Sequence, residues 1–341
     1  MIAIGYDVGS SFIKAALVDV KSGKSLAVER VPEVEIPIMA DKIGWAEQDP
    51  LLWWKYLCQA TKSLIKKAKI DSDQITSIGI SYQMHGLVLV DKDLNALRKS
   101  IIWCDSRASS YGQKAMKNLG RSYCENHLLN SPGNFTASKL AWVVENEPSL
   151  YEKVYKFMLP GDFLVAKLTG ETQTTINGLS EGVFWDFKND TTSEALFKYY
   201  KIDQSLVPEI VSNFTEQAKV SKKGSESSGL PIGIPVTYRS GDQPNNAFTL
   251  GARSSGDVVA TAGTSGVVYA LTDKFSGNEL TRVNTFAHLN YQSHEKTFGK
   301  LLNLNGAGIQ YRWLHQLMGS LGYEKLNHMA TDVPVGSNGL M

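Results

Sequence analysis

The chain contains 341 residues, of which 43% are hydrophobic and 20% are charged, and its formal net charge is +1. This length allows two domains, and the composition is ordinary for a globular protein. A net charge so close to zero gives no electrostatic case for binding nucleic acid or an anionic membrane. No apolar run approaches the length of a membrane span, so a membrane protein is not expected either.

The three cysteines, Cys58, Cys104 and Cys124, are odd in number and lack the spacing of metal ligands. We interpret them as reduced thiols, which are typical of cytoplasmic proteins. The N-terminus lacks the basic and apolar regions of a signal peptide, so a cytoplasmic location is predicted. A homodimer is compatible with the sequence, which does not fix the oligomeric state.

The chain opens with a strand pattern over residues 2–6, then Asp7-Val8-Gly9-Ser10-Ser11, and a returning strand over residues 12–19. A small turn of this kind can point several backbone N–H groups at a phosphate, with serine hydroxyls as further donors. Lys14 would add a cation. Glycine and serine are also common in ordinary hairpin turns, so this pattern alone is a weak indication of phosphate binding.

The following elements alternate between strands and helices. Asp49-Pro50 predicts the start of a helix that runs to about residue 68, because Asp is a good cap and Pro suits the first helical position. Further strands are predicted at 26–31, 75–81, 87–90 and 101–103, and helices near 106–119, 137–145 and 162–168. This order indicates an α/β domain with a mixed sheet. Residues 222–229 are rich in Ser, Gly and charge, and we expect a surface loop there.

Two polar segments follow predicted strands. In Gln83-Met84-His85-Gly86, the glycine allows a ligand to approach the backbone, and His85 could hydrogen-bond a sugar hydroxyl or carbonyl. A structural histidine at the sheet end is slightly favoured by this segment alone. Trp103-Cys104-Asp105-Ser106-Arg107 has the side chains of a polyol pocket. The alternative is a plain surface ion pair between Asp105 and Arg107.

Asp242 lies in Gly241-Asp242-Gln243-Pro244-Asn245, between an apolar stretch at 234–238 and a helix predicted over 245–252. Ligands usually bind at such strand ends in an α/β sheet. A carboxylate there can take a proton from a hydroxyl and help to hold a metal ion. Helix capping is the alternative, and it is favoured when the segment is considered alone.

A second hairpin pattern occurs at residues 258–273, with Gly263-Thr264-Ser265-Gly266 at its turn. Aligning Gly9 with Gly263 also aligns Ser11 with Ser265 and Asp19 with Asp273. The repetition predicts two related domains, whose turns would hold the phosphates of a nucleotide from both sides. Chance similarity between two hairpins is the alternative.

Together, these ordered motifs resemble the FGGY carbohydrate kinases over the whole chain from Ile2 to Met341. The resemblance implies an α/β protein with two actin-like ATPase domains of ribonuclease H-like topology, each a mixed sheet flanked by helices. The first domain, 1–240, would bind the sugar and contain the first phosphate turn. The second, 241–341, would contain the catalytic Asp and the second turn. Family members run well beyond Met341, so this second domain is expected to be incomplete.

The resemblance also implies roles for individual residues. Asp242 would be the catalytic base, and Asp7 and Asp242 would serve the Mg²⁺ site. The expected sugar contacts are Met84, His85, Gly86, Trp103, Asp105, Asp242 and Gln243. The expected ATP contacts are Asp7, Gly9, Ser10, Ser11, Lys14, Gly263, Thr264, Gly306 and Gln310.

The segment Met84-His85-Gly86 resembles the xylulokinase branch of this family, so the expected sugar is D-xylulose. Many xylulokinases have Asp-Asn where this chain has Asp242-Gln243. Another ketopentose, a polyol or a sugar acid therefore stays open as the substrate. A non-catalytic sugar- or nucleotide-binding protein is the alternative from a different functional class.

Overall fold

The computed structural model of the chain describes residues 1–263, 266–277, 279–304 and 306–339. Its strands are β1 (Ile2–Val8), β2 (Ile13–Asp19), β3 (Ser25–Val31), β4 (Glu47–Gln48), β5 (Ile75–Tyr82), β6 (Val88–Val90), β7 (Ser100–Ile101), β8 (Lys156–Met158), β9 (Gln173–Thr174), β10 (Trp185–Asp186), β11 (Thr191–Thr192), β12 (Glu209–Ile210), β13 (Ala218–Lys219), β14 (Pro235–Gly241), β15 (Val258–Ala262), β16 (Gly266–Thr272), β17 (Val283–Ala287) and β18 (Phe298–Leu304).

The helices are α1 (Pro50–Ala68), α2 (Ser109–Leu119), α3 (Arg121–Tyr123), α4 (Thr136–Asn146), α5 (Pro148–Tyr151), α6 (Pro160–Thr169), α7 (Ile176–Glu181), α8 (Glu194–Tyr200), α9 (Lys222–Ser228), α10 (Asp242–Thr249), α11 (Gly308–Leu317) and α12 (Tyr323–Thr331). Within the described parts of the chain, none of these helices has the length and apolar character needed to cross a membrane.

The first sheet has the strand order β13-β14-β5-β1-β2-β3. Strands β14, β5 and β1 run parallel, whereas β2 and β3 form antiparallel pairs that continue from β1. The predicted mixed sheet is therefore confirmed. Because neighbouring parallel strands end at the same edge of the sheet, the segments that follow β1, β5 and β14 begin side by side.

Helix α1 covers one face of this sheet. Asp49 caps the helix by accepting a hydrogen bond from the backbone N–H of Leu51 at 2.9 Å, and Pro50 occupies the first turn. The apolar side chains of Trp53, Leu57 and Leu64 are fully buried against the strands. The sequence prediction for this helix is confirmed to the residue at its start.

The second sheet is antiparallel, with the order β15-β16-β18-β17. Val258 pairs with Ala270 and Ala262 with Gly266, so the predicted second hairpin is present. Side chains of this sheet share two apolar clusters with the preceding part of the chain. One cluster contains Met84, and the other joins Phe298 to residues such as Phe187, in the turn after β10. The division at residues 240 and 241 stays a prediction, since these cores extend across it.

Residues 222–229 differ from the sequence prediction. Lys222–Ser228 forms helix α9, whose N-terminus is capped by the Ser221 side chain. A Cβ on Gly224 would lie 1.9 Å from the carbonyl oxygen of Leu168, so the glycine lets α9 pack directly on α6. The expectation of a surface loop at 222–229 was wrong, because the preceding Ser221 caps a helix there and Gly224 allows close helix packing.

Candidate active site

Three of the expected functional segments meet at one edge of the first sheet. In the strand register, Asp7 of β1 lies beside Ser81 of β5, and Gly241 of β14 lies beside Tyr82. The next residues are the Gly9 turn, the segment Gln83–Gly86, and Asp242. The fold therefore brings together the predicted phosphate turn, sugar segment and catalytic carboxylate, as expected for an α/β ligand site.

Asp242 is the first residue of α10 and is half-buried. Burial raises the pKa of its carboxyl, and the nearby charge of Asp7 raises it further, to about 6. The capping position belongs to Gly241, which makes no side-chain cap hydrogen bond. A carboxyl whose pKa lies just below neutrality is deprotonated at pH 7 and is basic enough to accept a proton from a hydroxyl.

Gly241, which directly precedes Asp242, occupies a crowded position. A Cβ at this residue would lie 2.5 Å from Cγ of Met84 and 2.6 Å from Oε2 of Glu181. Only glycine fits there without displacing one of these side chains. This close contact between the end of β14 and the sugar segment therefore fixes where α10 begins, and with it the position of Asp242.

His85 has a left-handed backbone with φ of 61°. Its N–H donates to Oε1 of Glu181 at 3.1 Å, and its ring Nδ1 lies 3.0 Å from the carbonyl oxygen of Glu181. The carbonyl oxygen of His85 accepts a hydrogen bond from Nζ of Lys139 at 2.7 Å. Burial lowers the pKa of His85, and the positive charge of Lys139 lowers it further, to about 3. The imidazole is therefore neutral at physiological pH.

The neighbours of His85 have mainly packing contacts. The Met84 side chain is 5% exposed and lies in an apolar cluster with Tyr269 and Phe286. Gly86 is needed for close approach, because a Cβ there would lie 2.6 Å from Cγ of Pro160. Within the segment Met84–Gly86, His85 is thus the residue with a polar ring available for recognition.

Asp105 and Arg107 form an ion pair inside the protein. Their side chains are 0% and 1% exposed, and Nη2 of Arg107 lies 2.7 Å from Oδ2 of Asp105. The Asp105 carboxylate also accepts backbone hydrogen bonds from Ala46 at 2.5 Å and Arg107 at 2.9 Å. The guanidinium lies over the ring of Trp45, 3.7 Å from its centroid.

This geometry corrects the surface ion-pair alternative, because the pair is buried. Protein donors fill the hydrogen-bonding capacity of the Asp105 carboxylate, so a direct sugar contact by Asp105 stays a prediction that requires this network to open. Trp103, which sequence analysis placed in a strand, lies in a turn after β7 with 51% of its surface exposed. Its proposed sugar contact also stays a prediction.

The first phosphate turn is held by an internal network. The backbone N–H of Gly9 donates to the Phe12 carbonyl at 3.1 Å, and the carbonyl of Ser10 accepts from Nε2 of Gln48 at 2.6 Å. Oε1 of Gln48 in turn accepts from Nε2 of Gln83 at 3.2 Å. The segment 44–50, which has no evident chemistry in the sequence, therefore connects the turn to the sugar segment. Ser11 is half-buried in the same turn.

Asp7 and Lys14 face each other across β1 and β2, and their side chains form an ion pair of 3.2 Å. Both are accessible, with 44% of the Asp7 side chain and 58% of the Lys14 side chain exposed. They border a cavity of about 370 Å³, whose other lining residues include Gly5, Gly79, Tyr238 and Asn245. An accessible carboxylate and an accessible ammonium group are thus available at this edge for metal and phosphate contacts.

Gly263, the first residue of the predicted second turn, lies beside the start of α11. The carbonyl of Gly263 accepts from the N–H of Gly308 at 2.9 Å, and a Cβ on Gly306 would lie 3.0 Å from Oε1 of Gln310. Gln310 also lines a shallow groove of about 280 Å³. The structure brings Gly263, Gly306 and Gln310 together, whereas Thr264 lies outside the described residues.

Among the described residues, no group of three or more His, Cys, Asp and Glu side chains has the arrangement of a metal site. Mg²⁺ is commonly held by one or two carboxylates together with substrate phosphates. Asp7 and Asp242 fit that requirement, because the charge of Asp7 raises the pKa of Asp242, as expected when two carboxylates converge. A cation between them would relieve this repulsion.

Two buried charged residues at the site were missed by the sequence analysis. Glu181 is 2% exposed at the end of α7, and Lys139 is 0% exposed on α4. Lys139 directly precedes the apolar run at residues 140–144 of α4, and a lysine on a buried helical face is an unusual pattern that could have identified it. Glu181 gives no such signal, because its partner His85 lies 96 residues away in the sequence.

Residues 2–249 match the FGGY family of carbohydrate kinases, N-terminal domain. Over 346 aligned residues, the chain is 30% identical to the xylulose kinase of Staphylococcus xylosus, covering 99% of this chain and 68% of that relative. The chain thus spans about two thirds of the length of this curated relative.

The solved structure of xylulose kinase from Rhodospirillum rubrum matches with a TM-score of 0.90 and 24% identity, covering 100% of this chain and 69% of that one. The gluconate kinase structure from Lactobacillus acidophilus matches with a TM-score of 0.87 and 22% identity, covering 100% of this chain and 68% of that one. These likenesses confirm the predicted actin-like α/β fold. With the match over residues 2–249, they show that the chain belongs to the FGGY family of carbohydrate kinases.

Proposed function

We propose that this chain provides the sugar site and catalytic base of an ATP-dependent kinase that converts D-xylulose to D-xylulose 5-phosphate. Family membership supports a carbohydrate kinase, and the name of the Staphylococcus xylosus relative supports xylulose as the sugar. The single observation that carries the proposal is the position of Asp242. It lies at the end of β14, beside the sugar segment and near Asp7.

In the proposed reaction, Asp242 accepts the proton of the sugar hydroxyl while the hydroxyl oxygen attacks the γ-phosphorus of ATP. The bond from this phosphorus to the bridging oxygen breaks, and ADP leaves with that oxygen. Its pKa of about 6 keeps the carboxylate deprotonated at pH 7. Positioning and charge neutralisation account for most of the catalysis of phosphoryl transfer. The network of Gln48 and Gln83 would position the phosphate turn relative to the bound sugar.

Asp7 and Asp242 would hold Mg²⁺, which supplies neutralisation of the phosphate charges when it is bound. Lys14 lies opposite Asp7 and would contact a phosphate oxygen. Ser10 and Ser11 would donate hydrogen bonds to the nucleotide phosphates from the first turn, and Gly263, Thr264, Gly306 and Gln310 would form the other side of the ATP site. Gln243 would contact the sugar beside the base.

A sugar acid is the second candidate substrate. The chain carries Asp242-Gln243 where many xylulokinases carry Asp-Asn, and its fold matches that of a gluconate kinase nearly as well as that of a xylulose kinase. Other ketopentoses and polyols are further candidate substrates, and the assay described below includes them. A non-catalytic sugar-binding role is the alternative in which Asp242 and Asp7 hold a ligand without turnover.

A cytoplasmic location and a homodimer form part of the proposal. Cys58, Cys104 and Cys124 are free thiols, of which Cys104 is exposed, and exposed thiols persist in a reducing compartment. No nucleic-acid or membrane partner is proposed, given the net charge of +1.

A coupled ADP-release assay with Mg²⁺ and ATP tests the function across D-xylulose, other ketopentoses, glycerol and gluconate. It is made on this 341-residue chain and on a longer version that spans the length of the relatives. We expect D-xylulose to give the highest kcat/KM. A higher kcat/KM for gluconate or glycerol would overturn the choice of sugar. Sugar binding by calorimetry without ADP release from either protein would favour the non-catalytic alternative.

A further inference from the structure

The backbone of His85 is clamped by two buried residues from different helices. Oε1 of Glu181, on α7, accepts the N–H of His85 at 3.1 Å, while Nζ of Lys139, on α4, donates to its carbonyl oxygen at 2.7 Å. Lys139 also donates to the carbonyl oxygen of Ile102 at 2.9 Å. A left-handed backbone is costly for a residue other than glycine, so contacts on both sides of the peptide are needed to maintain it.

The ring of His85 is held as firmly as its backbone. Its centroid lies 4.8 Å from that of Phe135 in an edge-to-face contact and 5.6 Å from that of Phe286. Its Nδ1 lies 3.0 Å from the carbonyl oxygen of Glu181. A carbonyl oxygen can only accept a hydrogen bond, so the hydrogen of this pair must reside on Nδ1.

The other ring nitrogen then has a defined role. His85 is neutral, because burial and the charge of Lys139 lower its pKa to about 3. A neutral imidazole that carries its hydrogen on Nδ1 has a lone pair on Nε2. Nε2 can therefore accept a hydrogen bond from a hydroxyl, whereas a ketose carbonyl, which is itself an acceptor, cannot pair with it.

The side chain of Glu181 also touches the junction that carries the base. Its Oε2 would lie 2.6 Å from a Cβ on Gly241, and the hydroxyl of Tyr82 lies 3.5 Å from the same oxygen. Burial raises the pKa of Glu181 well above its usual value, and the charges of Asp162 and Asp242 contribute to the increase. A glutamine keeps an oxygen at the position of Oε1, so it could replace Glu181 without losing the acceptor that His85 uses.

We propose that Glu181 and Lys139 are positioning residues that fix His85 as the Nδ1–H tautomer, and that Nε2 of His85 accepts a hydrogen bond from a hydroxyl of the sugar. The second part rests on the proposed kinase function. It specifies the substrate as a sugar that presents a hydroxyl donor to His85, and it makes recognition depend on that hydroxyl rather than on the carbonyl group.

The tautomer is tested directly by ¹⁵N and ¹³C NMR of the His85 ring, with the His85→Gln variant used to assign its signals. We expect the Nδ1–H signature in the unmodified chain at pH 7. A dominant Nε2–H tautomer, or a doubly protonated ring, would overturn the proposal. This measurement needs no turnover, so it separates failure of the tautomer from failure of the proposed function.

Three substitutions then test positioning. Glu181→Gln should keep the Nδ1–H signature and a KM for sugar within about twofold, because the amide oxygen still accepts the His85 N–H. Glu181→Ala and Lys139→Met should each raise KM for the sugar by about tenfold, the factor for one hydrogen bond, with KM for ATP changed far less. Glu226→Ala, on the exposed face of α9, is the matched control. A Glu181→Gln variant as impaired as Glu181→Ala would contradict the proposal.

The hydroxyl contact is tested with the monodeoxy analogues of the preferred sugar. One analogue should bind about tenfold more weakly to the unmodified chain, and this difference should vanish in His85→Ala. Discrimination that persists unchanged in His85→Ala for every analogue would overturn the hydroxyl contact. If no sugar binds while the ring shows the Nδ1–H signature, the proposed function and the hydroxyl contact both fail and the tautomer assignment is supported.

Discussion

Arg107 and Asp105 are joined within a single turn of chain, with Nη2 of the arginine 2.7 Å from Oδ2 of the aspartate, and neither side chain is accessible. The aromatic ring of Trp45 covers the guanidinium. Glu47 adds a second carboxylate, 2.7 Å from Nη1 of Arg107. Removing the aspartate would leave a buried arginine with one carboxylate partner and the N–H of Ala46 with none.

We therefore expect Asp105→Ala to lower the free energy of unfolding by roughly 3 kcal/mol, the lower end of the range for breaking a buried pair. Glu216→Ala breaks the exposed ion pair with Lys219 and should change the stability by less than about 1 kcal/mol. Urea unfolding measures both. Equal stability losses in the two variants would show that Asp105 has little structural role, and would favour the predicted role of Asp105 as a sugar contact.

Loss of Asp242, the proposed catalytic base, should abolish most turnover. Asp242→Ala is expected to lower kcat by about 100-fold or more in an active form of the protein, the usual scale for a general base. The protein should stay folded, as measured by circular dichroism. Asp93→Ala, at an exposed position, should leave kcat unchanged. Near-normal turnover by Asp242→Ala would exclude it as the base.

The crowding at Gly241 gives a steric prediction. Gly241→Ala should destabilise the protein by about 1–3 kcal/mol, because the new methyl group would overlap Met84 and Glu181. Gly5→Ala is the matched control, since no atom lies within 4 Å of a Cβ at Gly5. Thermal or urea unfolding of both variants measures the difference. A neutral Gly241→Ala would mean that the β14–α10 junction relaxes freely.

The buried ammonium group of Lys139 predicts a pH dependence of stability. Burial lowers its pKa to about 7, although Asp105, Cys104 and Glu181 partly oppose the effect, while Arg107 adds to it and the neutral imidazole of His85 lies beside it. Below pH 7, folded and unfolded chains both hold this proton, and the folded chain bears the full cost of burying the charge. Between pH 7 and 10.5 the folded chain has released the proton and the unfolded chain has not, so stability rises with pH.

Urea unfolding at pH 7 and pH 9 tests this sign. Relative to Lys139→Met, which has no such proton, the unmodified chain should gain about 2 kcal/mol of stability over this interval. Lys66→Met, on the exposed side of α1, should follow the unmodified chain at both pH values. A constant difference between the unmodified chain and Lys139→Met would contradict the prediction.

Helix α11 and the segment after it expose large apolar side chains. Trp313 is 58% exposed, Leu317 is 65% exposed and Met329 is 50% exposed. Exposed apolar side chains of this size favour association, so we expect sedimentation velocity to show a mass that increases with concentration. Trp313→Lys combined with Leu317→Lys should reduce it, whereas the isolated Ile232→Lys change should not. A concentration-independent monomer would contradict this prediction.

Local patterns were sufficient to predict much of the first sheet and helix α1. The strands β1 and β2 follow the apolar runs of the sequence, and α1 starts at Pro50 because Asp49 supplies its cap locally. The positions of Asp7 and Asp242 could also be predicted, because parallel strands end at one edge of a sheet.

The parts that escaped prediction depend on contacts between distant residues. Nothing near Asp105 in the sequence shows that Ala46 donates to it from 59 residues away. The hydrogen bond between Glu181 and His85 likewise joins residues that are 96 apart in the sequence. The helix at Lys222–Ser228 was missed because Gly224 was interpreted as a loop residue. A glycine is needed there because the backbone of α6 packs against it, and composition does not reveal this contact.

Gln48 has a consequence for ligand binding that concerns thermodynamic linkage. Its amide joins the Ser10 carbonyl to Gln83, and Nε1 of Trp53 also donates to its oxygen, at 3.1 Å, from α1. One side chain thus connects the first phosphate turn with the sugar segment, so ordering either of them restricts the other. Any cooperativity between the two ligands that passes through this amide must be reciprocal: the factor by which sugar tightens nucleotide binding equals the factor by which nucleotide tightens sugar binding.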